Sequence, residues 1–327
     1  MQKSRALLFT AVDVVELAEV QIPHPELGEV LVRTDFTCIS PGTELRCFAG
    51  LQPGLDGWGY IPGYAAVSTI IEASESAIAK GCVPDTKVIG GGTLRASVPR
   101  SWGGHTEYAV LSADSCIPLQ DGDDLVAASA AQLAGIAYRG VRYAQVLPNE
   151  RVAVLGLGAI GQCSARLFHA TGATVVAIDP VEQRRAHAAA EGIETVDPEM
   201  TAKELINSFD VVVDATGSER ATALTIALAK GHPWDRAETN PARIIVQGSY
   251  PGLVSFPYQA TFEKELSVRF PRNVVRQDME AVMDLHRRGR INLRSIVSDV
   301  LSPSDAQSAY DRLKTRPGEI TFAFDWR

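Results

Sequence analysis

A chain of 327 residues is too long for one ordinary core and long enough for two domains. Its 46% hydrophobic and 21% charged residues fit a globular protein, and a formal charge of −8 argues against nucleic acid or an anionic membrane surface, leaving a small-molecule substrate as the expected partner. No apolar stretch approaches the ~20 residues that span a bilayer, and the five cysteines include no CxxC pair, so reduced thiols and a cytoplasmic location are expected.

In chain order, the apolar part of residues 1–10 is too short for a secretory signal, and the chain up to about residue 120 reads mainly as strands and turns. Gly28 to Arg33 alternates, Pro62-Gly63-Tyr64 interrupts the chain, and Val67 to Glu72 resumes a β-rich run. Pro84 to Gly90 and Gly103-Gly104-His105-Thr106-Glu107-Tyr108-Ala109-Val110 are further turn-plus-strand units. Asp123 and Asp124 start an Ala-rich helix reaching about Tyr143, and the composition shifts towards α/β near residue 132. From Arg151 strand and helix alternate: Val152 to Leu155, a helix after Gly161, Val175 to Asp179, a helix over Glu182 to Ala190, Val211 to Ala215, a helix over Glu219 to Lys230, and Ile244 to Gln247. That alternation predicts a parallel sheet with helices on both faces. Gly231 to Pro241 has no apolar period and two prolines, which predicts a surface excursion. After about residue 272 the alternation ends. A helix over Gln277 to Arg287, a strand over Ile296 to Leu301, a helix capped by Ser304 with Gln307 three residues on, and a strand over Ile320 to Trp326 are assigned back to the first domain. The expected fold class is α/β, with a β-rich domain of residues 1–132 and 273–327 and a doubly wound nucleotide domain, 133–272, inserted in it.

The nucleotide assignment rests on Gly156-Leu157-Gly158-Ala159-Ile160-Gly161, which closes an apolar strand and opens a helix. The first Gly makes the turn, the second lets backbone approach a pyrophosphate, and the third lets helix pack on sheet, so phosphates meet free N–H groups at a helix N-terminus. Asp179 ends the second strand, where a carboxylate accepts bonds from the adenosine ribose and repels a 2′-phosphate. NAD is therefore expected over NADP, although Arg184 and Arg185 follow on the next helix. By strand order, Thr216 and Gly217 lie under the adenosine half, and Gly248 and Ser249 meet the nicotinamide carboxamide.

The β-rich first half, the Rossmann insert and the returning tail together resemble the medium-chain dehydrogenase/reductase superfamily over essentially the whole chain. The resemblance implies a GroES-like catalytic domain and a homodimer. In the zinc alcohol dehydrogenases of that superfamily, a CGTD motif supplies a zinc-binding Cys, a relay hydroxyl and an acidic residue behind the metal. The matching stretch here is Pro41-Gly42-Thr43-Glu44. A GHE motif supplies the zinc-binding His and here reads Gly63-Tyr64-Ala65, while the third ligand position falls near Ala131. The interval Ile89 to Glu107 also lacks the cysteines of a structural zinc lobe. Pro, Tyr and Ala do not hold zinc, so no zinc is expected and its Lewis-acid work passes to hydrogen-bond donors and general acid/base groups. Ser40-Pro41-Gly42-Thr43-Glu44 resembles the motif of a zinc-free branch whose best-known members are the hydroxyethyl bacteriochlorophyllide dehydrogenases.

Within that frame Thr43 matches the relay hydroxyl, with helix N-cap as its structural alternative. Glu44 and Tyr64 are expected as neighbours, either hydrogen-bonded so that the phenol faces the substrate oxygen, or serving a helix start and filling the former zinc space. His105, on a loop facing the interdomain cleft, is a candidate general acid/base or a structural histidine. Arg46 offers a fixed charge for phosphate or carboxylate, and Trp58 and Tyr60 are expected to line the substrate pocket or to pack. The leading expectation is a zinc-independent, NAD-linked dehydrogenase of secondary alcohols and ketones with a ring-bearing or polyhydroxylated substrate. An NADPH-dependent enoyl or quinone reductase and a non-catalytic nucleotide-binding sensor are the alternatives.

Overall fold

The computed structural model describes residues 1–55, 57–199, 204–235, 240–250 and 252–327, which form two compact units. The first comprises Met1–Gln132, Leu293–Arg316 and Ile320–Arg327, and the second Leu133–Asn292 with Pro317–Glu319. The return to the first unit therefore does not begin at residue 273. The helix Arg276–Arg287 groups with the second unit because its fully buried Asp278 is bound there. That carboxylate accepts from Arg142 Nη1 at 2.5 Å and from the Val275 amide at 3.2 Å. An amphipathic pattern says that a helix packs, not on which sheet.

In the first unit Gln2–Ala11 and Val14–Ile22 pair as a hairpin. Six strands follow one another across a sheet in the order Val297–Leu301, Thr321–Asp325, Glu29–Cys38, Ala65–Ala73, Lys87–Gly90 and Ile117–Pro118, and a seventh, Tyr108–Ser112, also pairs with Glu29–Cys38. The helices Pro41–Phe48 and Ala306–Thr315 meet over an aromatic core in which the rings of Phe9, Phe48 and Tyr310 lie 5.0 to 5.2 Å apart. Such pairs add about 0.5–1.5 kcal/mol each beyond their buried area. Gln307 of the second of these helices is not part of a cap. It accepts from the Val15 amide and donates to Asp13 O, both at 3.0 Å, while Ser302 caps the preceding turn.

The second unit carries six parallel strands in the order Glu194–Val196, Thr174–Ile178, Arg151–Leu155, Val211–Asp214, Arg243–Val246 and Ser267–Arg269. In sequence order this is 3-2-1-4-5-6, the doubly wound arrangement that places a ligand where the order reverses, beyond Leu155 and Asp214. The Ala-rich stretch expected as one helix is two, Leu125–Ser129 and Ala131–Ala144, with Asp124 capping the first by accepting from Val126 and Ala127 amides. Gly231–Asp235 of the expected surface excursion contains no helix or strand, and residues 236–239 lie outside the described residues. Among the described residues no helix is long and apolar enough to cross a membrane.

Candidate active site

At the switch point of the second unit, Gly156 turns the chain with φ +82° and Gly158 opens the helix Ala159–Ala170 without a side-chain cap. The first amides of that helix have no intrahelical acceptor, the condition for holding an anion. Gly161 is obligatory, since a Cβ there would lie 1.7 Å from Gly156 O. A Cβ on Gly158 would meet no protein atom within 4 Å, so that side of the turn is open to a ligand. Asp179 is 2% exposed and accepts from the Leu157 amide at 2.6 Å and the Val181 amide at 2.8 Å, which ties the glycine turn to the second strand. Arg184, on the helix after the second strand, has its Nη1 3.8 Å from Asp179 Oδ2. Arg185 donates to Asp179 O and pairs with Asp197 at 3.0 Å.

The other expected cofactor residues converge on the same edge. Thr216 packs against Gly156, and Gly248 lies so close to Gly217 that a Cβ would be 2.3 Å from its amide. Two residues not foreseen hold these loops. Asp214, 2% exposed, accepts from the Thr216 amide and hydroxyl at 2.9 and 2.7 Å and from the Tyr250 hydroxyl. Burial and the Asp214 bond push the Tyr250 phenol up to about 12. The glycine turn, the open helix start and Asp179 fit a dinucleotide, whose pyrophosphate would rest on the Gly158–Gly161 backbone and whose ribose would face Asp179.

In the first unit the site is built around Glu44. The strand Glu29–Cys38 ends, Ser40 starts the helix Pro41–Phe48 with Pro41 at its first position, and Glu44 lies one turn further on. Its carboxylate has no exposed surface. Oε1 accepts from the Ser40 amide at 2.7 Å, and Oε2 accepts from Tyr310 Oη at 2.6 Å and contacts His105 Nε2 at 2.8 Å. His105 Nδ1 lies 2.7 Å from Thr37 Oγ1, which accepts from Trp326 Nε1 at 3.0 Å. An indole nitrogen only donates. With Nε2–H on Glu44 and Thr37 Oγ1–H on His105 Nδ1, every donor in this hydrogen-bond chain has an acceptor. The two sequence motifs meet through backbone: Gly104 N donates to Gly63 O at 2.7 Å and His105 N to Pro62 O at 3.0 Å. Gly63, at φ +83°, leaves no room for a side chain, since a Cβ would lie 2.5 Å from the His105 ring.

Tyr64 does not bond Glu44. Its hydroxyl lies 2.5 Å from Ser40 Oγ, and Ser40 links the two residues, through its amide to the carboxylate and through its hydroxyl to the phenol. Burial pushes the Tyr64 phenol up to about 12; the Ser40 and Thr43 hydroxyls oppose the rise and the charge of Glu44 adds to it. Thr43 is not the helix cap; that position is Ser40, whose side chain makes no capping bond and so forgoes about 1 kcal/mol. His105 is 0% exposed with both ring nitrogens engaged, so it is a buried support rather than a group open to substrate. Tyr60 is a core residue, 4% exposed, donating to Cys47 O at 3.1 Å. Trp58 stacks on it beside a cavity of about 110 Å³, below the ~300 Å³ of small-molecule sites. Arg46 donates to Gln52 at 2.8 Å. The aromatic neighbour of Tyr64 is Trp102, 40% exposed, with ring centroids 5.7 Å apart. Ser40 was legible as part of its motif but not in this role. Trp102, Thr37, Tyr310 and Trp326 carried no local signal.

Residues 123–228 match the family described as D-isomer specific 2-hydroxyacid dehydrogenase, NAD binding domain, a span that includes the glycine turn and Asp179. The 2-desacetyl-2-hydroxyethyl bacteriochlorophyllide A dehydrogenase of Cereibacter sphaeroides is 26% identical over 99% of this chain and 99% of its own. A probable D-xylulose reductase A of Arthroderma otae is 27% identical over 68% of this chain and 64% of its own. In fold, 2R,3R-butanediol dehydrogenase from Bacillus subtilis superposes with a TM-score of 0.84 at 17% identity, covering 98% of this chain and 99% of that one. The glycine turn, the strand order and these similarities agree: the chain has the two-domain fold of the medium-chain dehydrogenases and resembles NAD(P)-dependent oxidoreductases of that type.

Proposed function

We propose that the protein is a zinc-independent, NAD-dependent dehydrogenase that interconverts a secondary alcohol and a ketone, with Tyr64 as the proton donor to the substrate oxygen. The observation that carries this reading is a phenol 2.5 Å from Ser40 Oγ and beside a carboxylate committed elsewhere, at the position that the motif resemblance gives to a metal-binding histidine. Zinc does not fit the donor set. Glu44 and His105 are spent on each other and on Tyr310 and Thr37, and Pro41 and Ala131 offer no donor. When bound, the nicotinamide supplies or accepts hydride at C4. Tyr64 holds a proton at Oη throughout the neutral range, since its phenol is pushed up to about 12, and it presents that proton beside the ring of Trp102. A ring-bearing or polyhydroxylated substrate is supported by the relatives, one named for a bacteriochlorophyllide and one for xylulose. By superfamily pattern we also propose a cytoplasmic homodimer, with Ser267–Arg269 as the edge strand available for pairing.

Fluorescence titration with NADH and NADPH, then a screen of cyclic ketones, ketoses, enones and quinones, tests the reading. NADH preference with ketone reduction is the expected result. One observation favours a second reading: Arg184, 3.8 Å from Asp179, could meet a 2′-phosphate, so NADPH preference with enone or quinone reduction would replace the first.

A further inference from the structure

We propose that Ser40 is a positioning residue for Tyr64: its hydroxyl aims the phenol and holds the phenolate oxygen once the proton has left. The inference rests on the assignment of Tyr64 as proton donor. Three features of Ser40 carry it.

First, Ser40 occupies a helix N-cap, where a serine hydroxyl ordinarily accepts from an amide of the first turn, and here it accepts none. The hydroxyl is turned to Tyr64 Oη at 2.5 Å instead. Second, the residue is fixed from behind. Its amide donates to Glu44 Oε1 at 2.7 Å, and Glu44 is itself held by His105 and by Tyr310, at 2.8 and 2.6 Å. Third, the proton inventory sets the direction. If Tyr64 Oη–H points at a substrate oxygen, its lone pairs are the acceptors for Ser40 Oγ–H. In the reductive step the carbonyl carbon takes a hydride from reduced nicotinamide, and the carbonyl π pair moves to oxygen, which takes the proton from Tyr64. The electron pair of the broken O–H bond stays on the phenolate, which accepts Ser40 Oγ–H until a water returns the proton.

The titratable groups facing Tyr64 are Glu44 and Cys38, both of which raise its pKa, whereas the Ser40 and Thr43 hydroxyls lower it. Loss of the Ser40 hydroxyl leaves the phenol unaimed, so kcat falls while NADH affinity and the ketone KM hold, a split that a purely structural role does not produce.

The test uses the full-length wild type and the variants Ser40→Ala, Ser40→Thr and Tyr64→Phe, with NADH and the probes cyclohexanone and D-xylulose. Ser40→Ala keeps the backbone donor to Glu44, and thermal unfolding checks that each variant is folded. The expected result is a loss in kcat of about ten- to a hundredfold in Ser40→Ala, with NADH affinity and the ketone KM unchanged and most activity restored in Ser40→Thr. Wild-type turnover with Ser40→Ala equal to it in kcat overturns the proposal and leaves Tyr64 standing. Absence of turnover in the wild type, or a Tyr64→Phe variant as active as wild type, overturns the reading of Tyr64 and the proposal with it.

Discussion

At Glu44 a carboxylate without exposed surface is held by the Ser40 amide, the Tyr310 hydroxyl and His105. Removing a charge so engaged strands its partners, so Glu44→Ala should destabilise the first unit by about 3–5 kcal/mol, and Tyr310→Phe by about 1.5–3 kcal/mol, in urea unfolding. A Glu44→Ala protein as stable as wild type would mean the network is not formed. Tyr64 makes a prediction about direction. Ketone reduction needs the phenol protonated, which holds below about 12, whereas alcohol oxidation needs the phenolate. Oxidation should therefore climb about tenfold per pH unit across the neutral and mildly alkaline range while reduction stays level; initial rates in both directions against pH would test this. Why Thr43, Glu44 and Tyr64 were legible in the chain, and Tyr310 was not, is a matter of distance: Tyr310 lies 266 positions from the carboxylate it serves, and nothing local marks it.

The helix Pro41–Phe48 and the turn Pro62–Tyr64 form a site only because Gly63 lets the His105 ring approach. A side chain at Gly63 would need both a positive φ and space that His105 occupies, so Gly63→Ala should cost about 1–3 kcal/mol and lower activity without weakening NADH binding. Gly161→Ala is the converse element test. Its Cβ would strike Gly156 O, so NADH affinity should collapse in a fluorescence titration while the first unit's stability is retained. Four of the six parallel strands were readable because each is an apolar run with a helix after it, and the glycine turn marks which comes first; Glu194–Val196 and Ser267–Arg269 are three residues each, mostly polar and only partly buried, and carried no such signal. The Ala-rich stretch was not readable as two helices, because no Gly or Pro stands at Ala130, where the first of them ends.

For the molecule as a whole, buried phenols and thiols dominate the alkaline behaviour. Tyr64 and Tyr250 are pushed up to about 12, Tyr60 and Tyr310 are also raised, and Cys47 and Cys163 are raised to about 11 and about 12. In each case the folded state keeps the proton that the unfolded state loses, near pH 9 for a thiol and near pH 10 for a phenol. Their contribution is thus complete below pH 9 and is lost as pH rises from there towards 12. Urea midpoints should be level up to about pH 9 and fall steeply above it; a midpoint unchanged at pH 11 would contradict the buried assignments. The domain division after Gln132 was marked by the change in composition, but the later one, at Leu293, depended on where the carboxylate of Asp278 is bound. In the proposed mechanism a phenol does the work of the metal. The most direct measurement is zinc content and NADH-dependent ketone reduction on one chelator-treated sample. Undiminished turnover with substoichiometric zinc is the predicted result, and activity that vanishes on chelation and returns with stoichiometric zinc would contradict it.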